Sequence, residues 1–195
     1  MFSFISISKE QKMPNKKIKI NRAPVLTLWA AVVAERLGYG RETALTLGKA
    51  VAGLNAQSKV RRLGIYEEKP KDEKKPEEKL ALSKVEGKEE KPVGFIELLG
   101  RGIPVVKTTK GMRAAIKGEE IDPQSVEKYL RQKFGDDLDD ARSAMEKLAK
   151  AYTPRQLESQ AFGLYEKFRP VVAEGMKGWG AKGELDLEYI RSLAK

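Results

Sequence analysis

Residues 24–38 read PVLTLWAAVVAERLG, and Thr27, Glu35 and Arg36 are the only polar side chains in the run. A helix apolar on nearly every side belongs at the centre of a fold, ringed by other elements. Proline suits its first turn, where the missing N–H would be unpaired, and Gly38 suits its end because glycine accepts a left-handed backbone. At about 1.5 Å per residue the run spans roughly 22 Å, short of the ~30 Å hydrocarbon core of a bilayer. After the turn Gly38-Tyr39-Gly40, Ala44, Leu45, Leu47, Val51 and Leu54 recur at helical spacing and predict a second helix over 41–58. Gly48, Ala52 and Ala56 fall four apart along it, a stripe that predicts close approach of another backbone.

The pattern then breaks. EEKPKDEKKPEEKLALSKVEGKEEK alternates opposite charges, holds two prolines and offers little to bury, so 66–92 reads as a charged flexible linker or insertion. FIELLG and IPVVKT, separated by Gly-Arg-Gly, predict two strands of a hairpin, and MRAAIKG suits a third strand or a short helix. Asp122-Pro123 is an N-cap followed by proline, opening a helix with Val126, Tyr129, Leu130 and Phe134 that Gly135 stops. Asp136 or Asp137 caps the next, with Leu138, Ala141, Met145, Leu148 and Ala149 on one side. Thr153 and Gln156 have capping-box spacing ahead of Leu157, Ala161, Leu164, Tyr165 and Phe168, and Pro170 ends that helix. Leu187, Ile190 and Leu193 predict a last short helix.

These readings define a mainly α fold, a multi-helix bundle with a small β-hairpin element. The predicted organisation is a disordered basic tail over 1–20, a helical hairpin over 21–65, the linker over 66–92, and a β-hairpin plus helical bundle over 93–195. The first helix is too apolar to stand with one partner, so 21–65 and 93–195 are expected to share one core. Met13 reads as the natural start, or the first dozen residues as a disordered extension.

Composition narrows the chemistry. The 195 residues include no Cys and no His, which removes disulfides, thiolates, imidazole ligands and Ser-His or Cys-His catalysis. A non-catalytic protein in a reducing, cytoplasmic setting is expected, with no metal, cofactor or small-molecule ligand. The net charge of +10 is unevenly spread: residues 1–65 hold twelve basic and three acidic side chains. That asymmetry points to an acidic partner, nucleic acid above all.

Residues 33–47, including AERLGYGRETALTL, resemble helix-turn-helix DNA-binding motifs. Ala34 stands as the small residue of the first helix, Gly38 at the turn, and Val33, Leu37, Tyr39, Ala44 and Leu47 at supporting positions. The resemblance implies that Arg41, Glu42, Thr43, Thr46 and Lys49 lie along a recognition helix, where Arg and Lys reach guanine or phosphate and Thr a thymine methyl. A buried helical hairpin is the alternative reading of the same residues. Over 23–62, APVLTLWAAVVAERL followed by Asn55, Ser58, Lys59, Arg61 and Arg62 is similar to the long central helix of core histones and the loop after it, interrupted here by Gly38 and Gly40.

The expected nucleic-acid-binding set is Lys16, Lys17, Lys19, Arg41, Lys49, Lys59, Arg61 and Arg62. The alternative is a protein-protein interaction or self-associating scaffold protein that uses its small-residue helix faces, and no membrane partner is expected in either case. Two further clusters carry paired readings. Asp136, Asp137, Asp139 and Asp140 suit either an oxygen-liganded cation or complementation of a helix dipole. In the loop EGMKGWGAKG, Trp179 between Lys177 and Lys182 suits either base stacking or packing over the core.

Overall fold

The computed structural model describes residues 16–62, 94–116, 118–174 and 181–194. The linker expected over 66–92 lies outside the described residues. The elements run β1 (Lys17–Ile20), α1 (Arg22–Arg36), α2 (Arg41–Arg62), β2 (Gly94–Leu98), β3 (Arg101–Thr108), β4 (Gly111–Ile116), β5 (Glu119–Glu120), α3 (Pro123–Phe134), α4 (Leu138–Lys150), α5 (Pro154–Phe168), β6 (Gly183–Asp186) and α6 (Leu187–Ser192). A 3-10 turn, Gly135–Asp137, joins α3 to α4.

Every residue of α1 from Pro24 to Ala34 is buried. The helix touches α2, α3, α4 and α5, as its all-round apolarity requires. Two residues past its last turn, Gly38 takes a φ of 99°. Trp29, fully buried, donates its indole N–H to the Ala161 carbonyl of α5 at 2.8 Å and meets Phe168 edge to face. Gly48 of α2 lies against Thr27 and Ala31 of α1, so the small-residue stripe begins by serving a contact within the chain. One buried cluster runs from Ile18 through α1 and α2, the sheet and the later helices to Ile190.

Local signals set the later helices. Asp122 accepts from the Gln124 and Ser125 amides at 3.2 and 3.0 Å, and Thr153 and Gln156 close the capping box that starts α5. Within α5, Tyr165 donates its hydroxyl to the Arg22 carbonyl at 3.3 Å, and burial pushes its phenol up to about 12 from 10.0. A folded value above the unfolded one means stability present below pH 10 is lost as pH rises toward 12. Tyr165→Phe is therefore expected to flatten the alkaline fall in the urea midpoint between these values. An equally steep fall in the variant would assign it to other groups.

The strands correct the picture of a bundle carrying one small hairpin. Helices dominate, but the fold is mixed α and β. An antiparallel four-stranded sheet has the order β2-β3-β4-β5, and β1 pairs antiparallel with β6 in a second sheet. MRAAIKG supplies β4, whose Ala115 and Ile116 pair with Glu120 and Glu119. Lys17–Ile20, expected in a disordered tail, forms a strand instead. Its side chains alternate between solvent and core, with Ile18 and Ile20 buried. Two apolar residues spaced by two provide a buried face, and β6 satisfies the backbone.

The open edge of β4 beyond the short β5 is closed by α2. The Ala114 amide donates to Thr46 Oγ1 at 3.0 Å, and Thr43 Oγ1 donates to the Met112 carbonyl at 2.7 Å. Arg113 of β4, nearly buried, reaches Glu42 at 3.0 Å. A helix whose hydroxyls stand in for a neighbouring strand protects the edge from pairing elsewhere.

Candidate nucleic-acid interface

The structure divides the basic residues of the N-terminal third into three groups. In the first, β1 and the residue before it are tied to acids. Lys16 sits between Asp137 at 2.8 Å and Asp140 at 2.5 Å. These bonds raise the Lys16 pKa and hold the Asp140 carboxyl below its ordinary 3.8. Two members of the acidic cluster thus anchor the chain entering β1. Among the described residues, no three carboxylates converge as a metal site. Lys17 pairs with Glu184 at 3.2 Å, and Lys19 faces solvent opposite Glu184 in the strand register.

The second group lies at the seam between α2 and α3. Arg41 reaches Glu127 at 3.4 Å, and Arg131, one turn further along α3, takes the same carboxylate oxygen at 3.2 Å. Lys49 places its ammonium 3.9 Å from the centroid of the Tyr129 ring, and the Lys133 ammonium stands 5.9 Å from the same ring. Among the described residues, neither lysine has a carboxylate partner. Burial and then the like charge of Lys133 hold Lys49 below the ordinary lysine value of 10.5. Burial raises the Tyr129 phenol, so the ring stays neutral where it meets the two cations.

The third group stands at the end of α2. The side chains of Lys59, Arg61 and Arg62 lie outside the described residues. Arg101, at the start of β3, donates to Ser58 Oγ at 3.1 Å and to Asn55 Oδ1 at 3.5 Å. The sheet thereby brings one more guanidinium to the helix end where those three residues follow.

The positions assigned to a recognition helix are distributed differently from one another. Arg41 and Glu42 are exposed, Thr46 is fully buried, and Thr43 and Thr46 are bonded to β4. Residues 23–62 form two helices folded back on each other. In the loop 174–183, Lys177 and Trp179 lie outside the described residues, and Lys182 is exposed ahead of β6.

Arg131, Lys133, Tyr129 and Arg101 stand outside the set that the sequence points to. Tyr129 and Lys133 are four apart on α3, which stacks them on one helical face. Their meeting with Lys49 depends on how α3 packs on α2. Compared with models of protein families, with curated proteins and with solved structures, the chain matches none.

Proposed function

We propose that this chain is a non-catalytic nucleic-acid-binding protein that holds phosphates along the α2–α3 seam. The observation that supports this reading is the charge balance there: among the described residues, the four cations Arg41, Lys49, Arg131 and Lys133 share one carboxylate partner, Glu127. Glu127 neutralises one of the two guanidiniums, and the lysine pair around Tyr129 repels itself. A phosphate between the lysines removes that repulsion and replaces water lost on burial. Arg41 and Lys49 stand eight residues apart on one helix, about 12 Å, which matches phosphates about three to four nucleotides apart on a strand that rises about 3.4 Å per nucleotide. Arg101, bonded to Ser58 and Asn55, adds a guanidinium near the end of α2, the helix on which Lys59, Arg61 and Arg62 follow in sequence. Lys16 and Lys17, already held by carboxylates, lie outside it.

Anisotropy of labelled duplex DNA, single-stranded DNA and RNA over a range of salt tests the proposal. Affinity is expected to fall steeply with salt. The double variant Lys49→Ala/Lys133→Ala should reduce the slope by about two phosphate contacts and weaken binding about tenfold or more at low salt. Lys16→Ala/Lys17→Ala should bind as the parent does. Affinity should also decline as pH rises toward the lowered Lys49 value, and Lys49→Arg should remove that decline because guanidinium stays charged. Absence of binding to all three probes at low salt, or a seam variant with the parent's slope, would overturn the reading.

A further inference from the structure

Among the described residues, the four-stranded sheet has one edge covered along β4 and one open edge at β2. Thr43 and Thr46 bond the stretch of β4 that the short β5 leaves unpaired, whereas β2 is the terminal strand on the other side among the described residues. Leu99 and Gly100 join β2 to β3 with φ values of 49° and 68°. Two positive values make a two-residue turn of the type that fits strand twist. The closing pair of such a hairpin, Leu98 and Arg101, exchanges both backbone bonds, and so do Ile96 with Ile103 and Gly94 with Val105. The amide and carbonyl of Phe95 and Glu97 therefore point away from β3, along the open edge.

That edge borders a groove of about 900 Å³ between β2 and the first turns of α5. Leu37, Leu98, Leu99 and Leu157 form its apolar floor, and Glu97 and Glu158 stand in its lining beside Arg155, the one cation there among the described residues. Neither glutamate forms an ion pair among the described residues. Leu99 is buried although its backbone is left-handed, a conformation that glycine or asparagine normally takes at this turn. The chain thus keeps an apolar side chain at the groove floor against the local backbone preference. Phe95, on the outward face of β2, is 72% exposed.

We infer that this groove docks an extended segment of a partner polypeptide, apolar and basic in alternation, which adds to the sheet as a strand beside β2. Its backbone would pair with Phe95 and Glu97, its apolar side chains would rest on the leucines, and its cations would meet Glu97 and Glu158. The site shares no residue with the α2–α3 seam, so it stands or falls independently of nucleic-acid binding.

The test is anisotropy of two labelled octapeptides with the full chain, one alternating lysine with valine and the other glutamate with valine. The protein's charge of +10 favours the acidic peptide non-specifically, so preference for the basic one reports the groove. The basic peptide is expected to bind. Glu97→Pro should weaken it about tenfold, since proline removes an outward N–H while leaving the bonds to β3 in place. Glu97→Gln should weaken it less and reduce its salt dependence. If Glu97→Pro fails to fold, methylating the peptide's strand-facing amides is expected to cause the same loss with the unaltered protein. Equal or tighter binding of the acidic peptide, no binding of the basic one at millimolar concentration, or indifference to the proline and to methylation would overturn the inference.

Discussion

Gly48→Ala is expected to destabilise the protein by about 3 kcal/mol, the upper range for overpacking a core, and to lower its thermal midpoint by roughly 6–12 °C. A Cβ built at this position falls 2.4 Å from the Thr27 carbonyl oxygen and 3.0 Å from the Ala31 amide nitrogen. Both are backbone atoms of α1, so no rotamer change relieves the clash and the two helices must move apart. The same substitution five residues on should act in the opposite direction. A Cβ at Gly53 meets only the Ile116 Cδ1 at 3.6 Å, an ordinary contact. Alanine there should stabilise α2 by about 0.5–1 kcal/mol through its better helix propensity. Calorimetry of the two variants gives a sign difference. Similar midpoints for both would show that α1 and α2 do not touch at Gly48.

Trp29→Ala is expected to cost about 3–5 kcal/mol, a large part of the roughly 5–15 kcal/mol that separates folded from unfolded states in ordinary domains. The ring is fully buried on the most enclosed helix and lies 5.3 Å from Phe168, centroid to centroid. Truncation leaves a cavity lined by α1 and α5, and the helical frame can close over it only in part. Trp29→Phe keeps most of the apolar contact and loses the bond to Ala161, so a cost nearer 1–2 kcal/mol is expected. Urea midpoints of the three proteins should fall in the order parent, phenylalanine, alanine. If the alanine variant matched the parent, the central place of α1 would be wrong.

What could be read from the chain and what could not divide along the range of the forces involved. The central position of α1 was legible because an apolar helix without a polar stripe has nowhere else to go. Asp122 and Thr153 were legible as caps because they bond amides two or three residues away. β1 was not, because four residues alternating lysine and isoleucine are too short to outweigh their charge, and their partner carries a glutamate and an aspartate of its own. β5 is two exposed glutamates, extended because Ala115 and Ile116 pair with them. Candidate binding residues followed the same rule. Arg41 and Lys49 could be picked as cations on a helix, whereas Lys16 and Lys17 could not be seen to meet Asp137, Asp140 and Glu184 until the chain closed on itself. In the sequence Tyr129 is one apolar ring at helical spacing, and its place between two lysines is a product of packing.

The pairing of β1 with β6 has a mechanical side. Lys17 and Glu184 are 167 positions apart, so joining the strands closes a loop whose entropy costs roughly 4–5 kcal/mol if nothing else has brought them near. Two four-residue strands cannot offset that alone, so they meet after the helices between them have docked. The antiparallel register places Lys17 opposite Asp186, and Ile20 opposite Gly183. Tension from the chain before Lys17 and the chain after Asp186 would therefore act on the same end of the ladder. It would open the pairs one at a time, as a zipper yields, instead of shearing all four together. The small sheet is a clasp whose pairs would open in sequence, from Lys17 and Asp186 inward to Ile20 and Gly183, once α6 with its buried Leu187 and Ile190 has been drawn from the core.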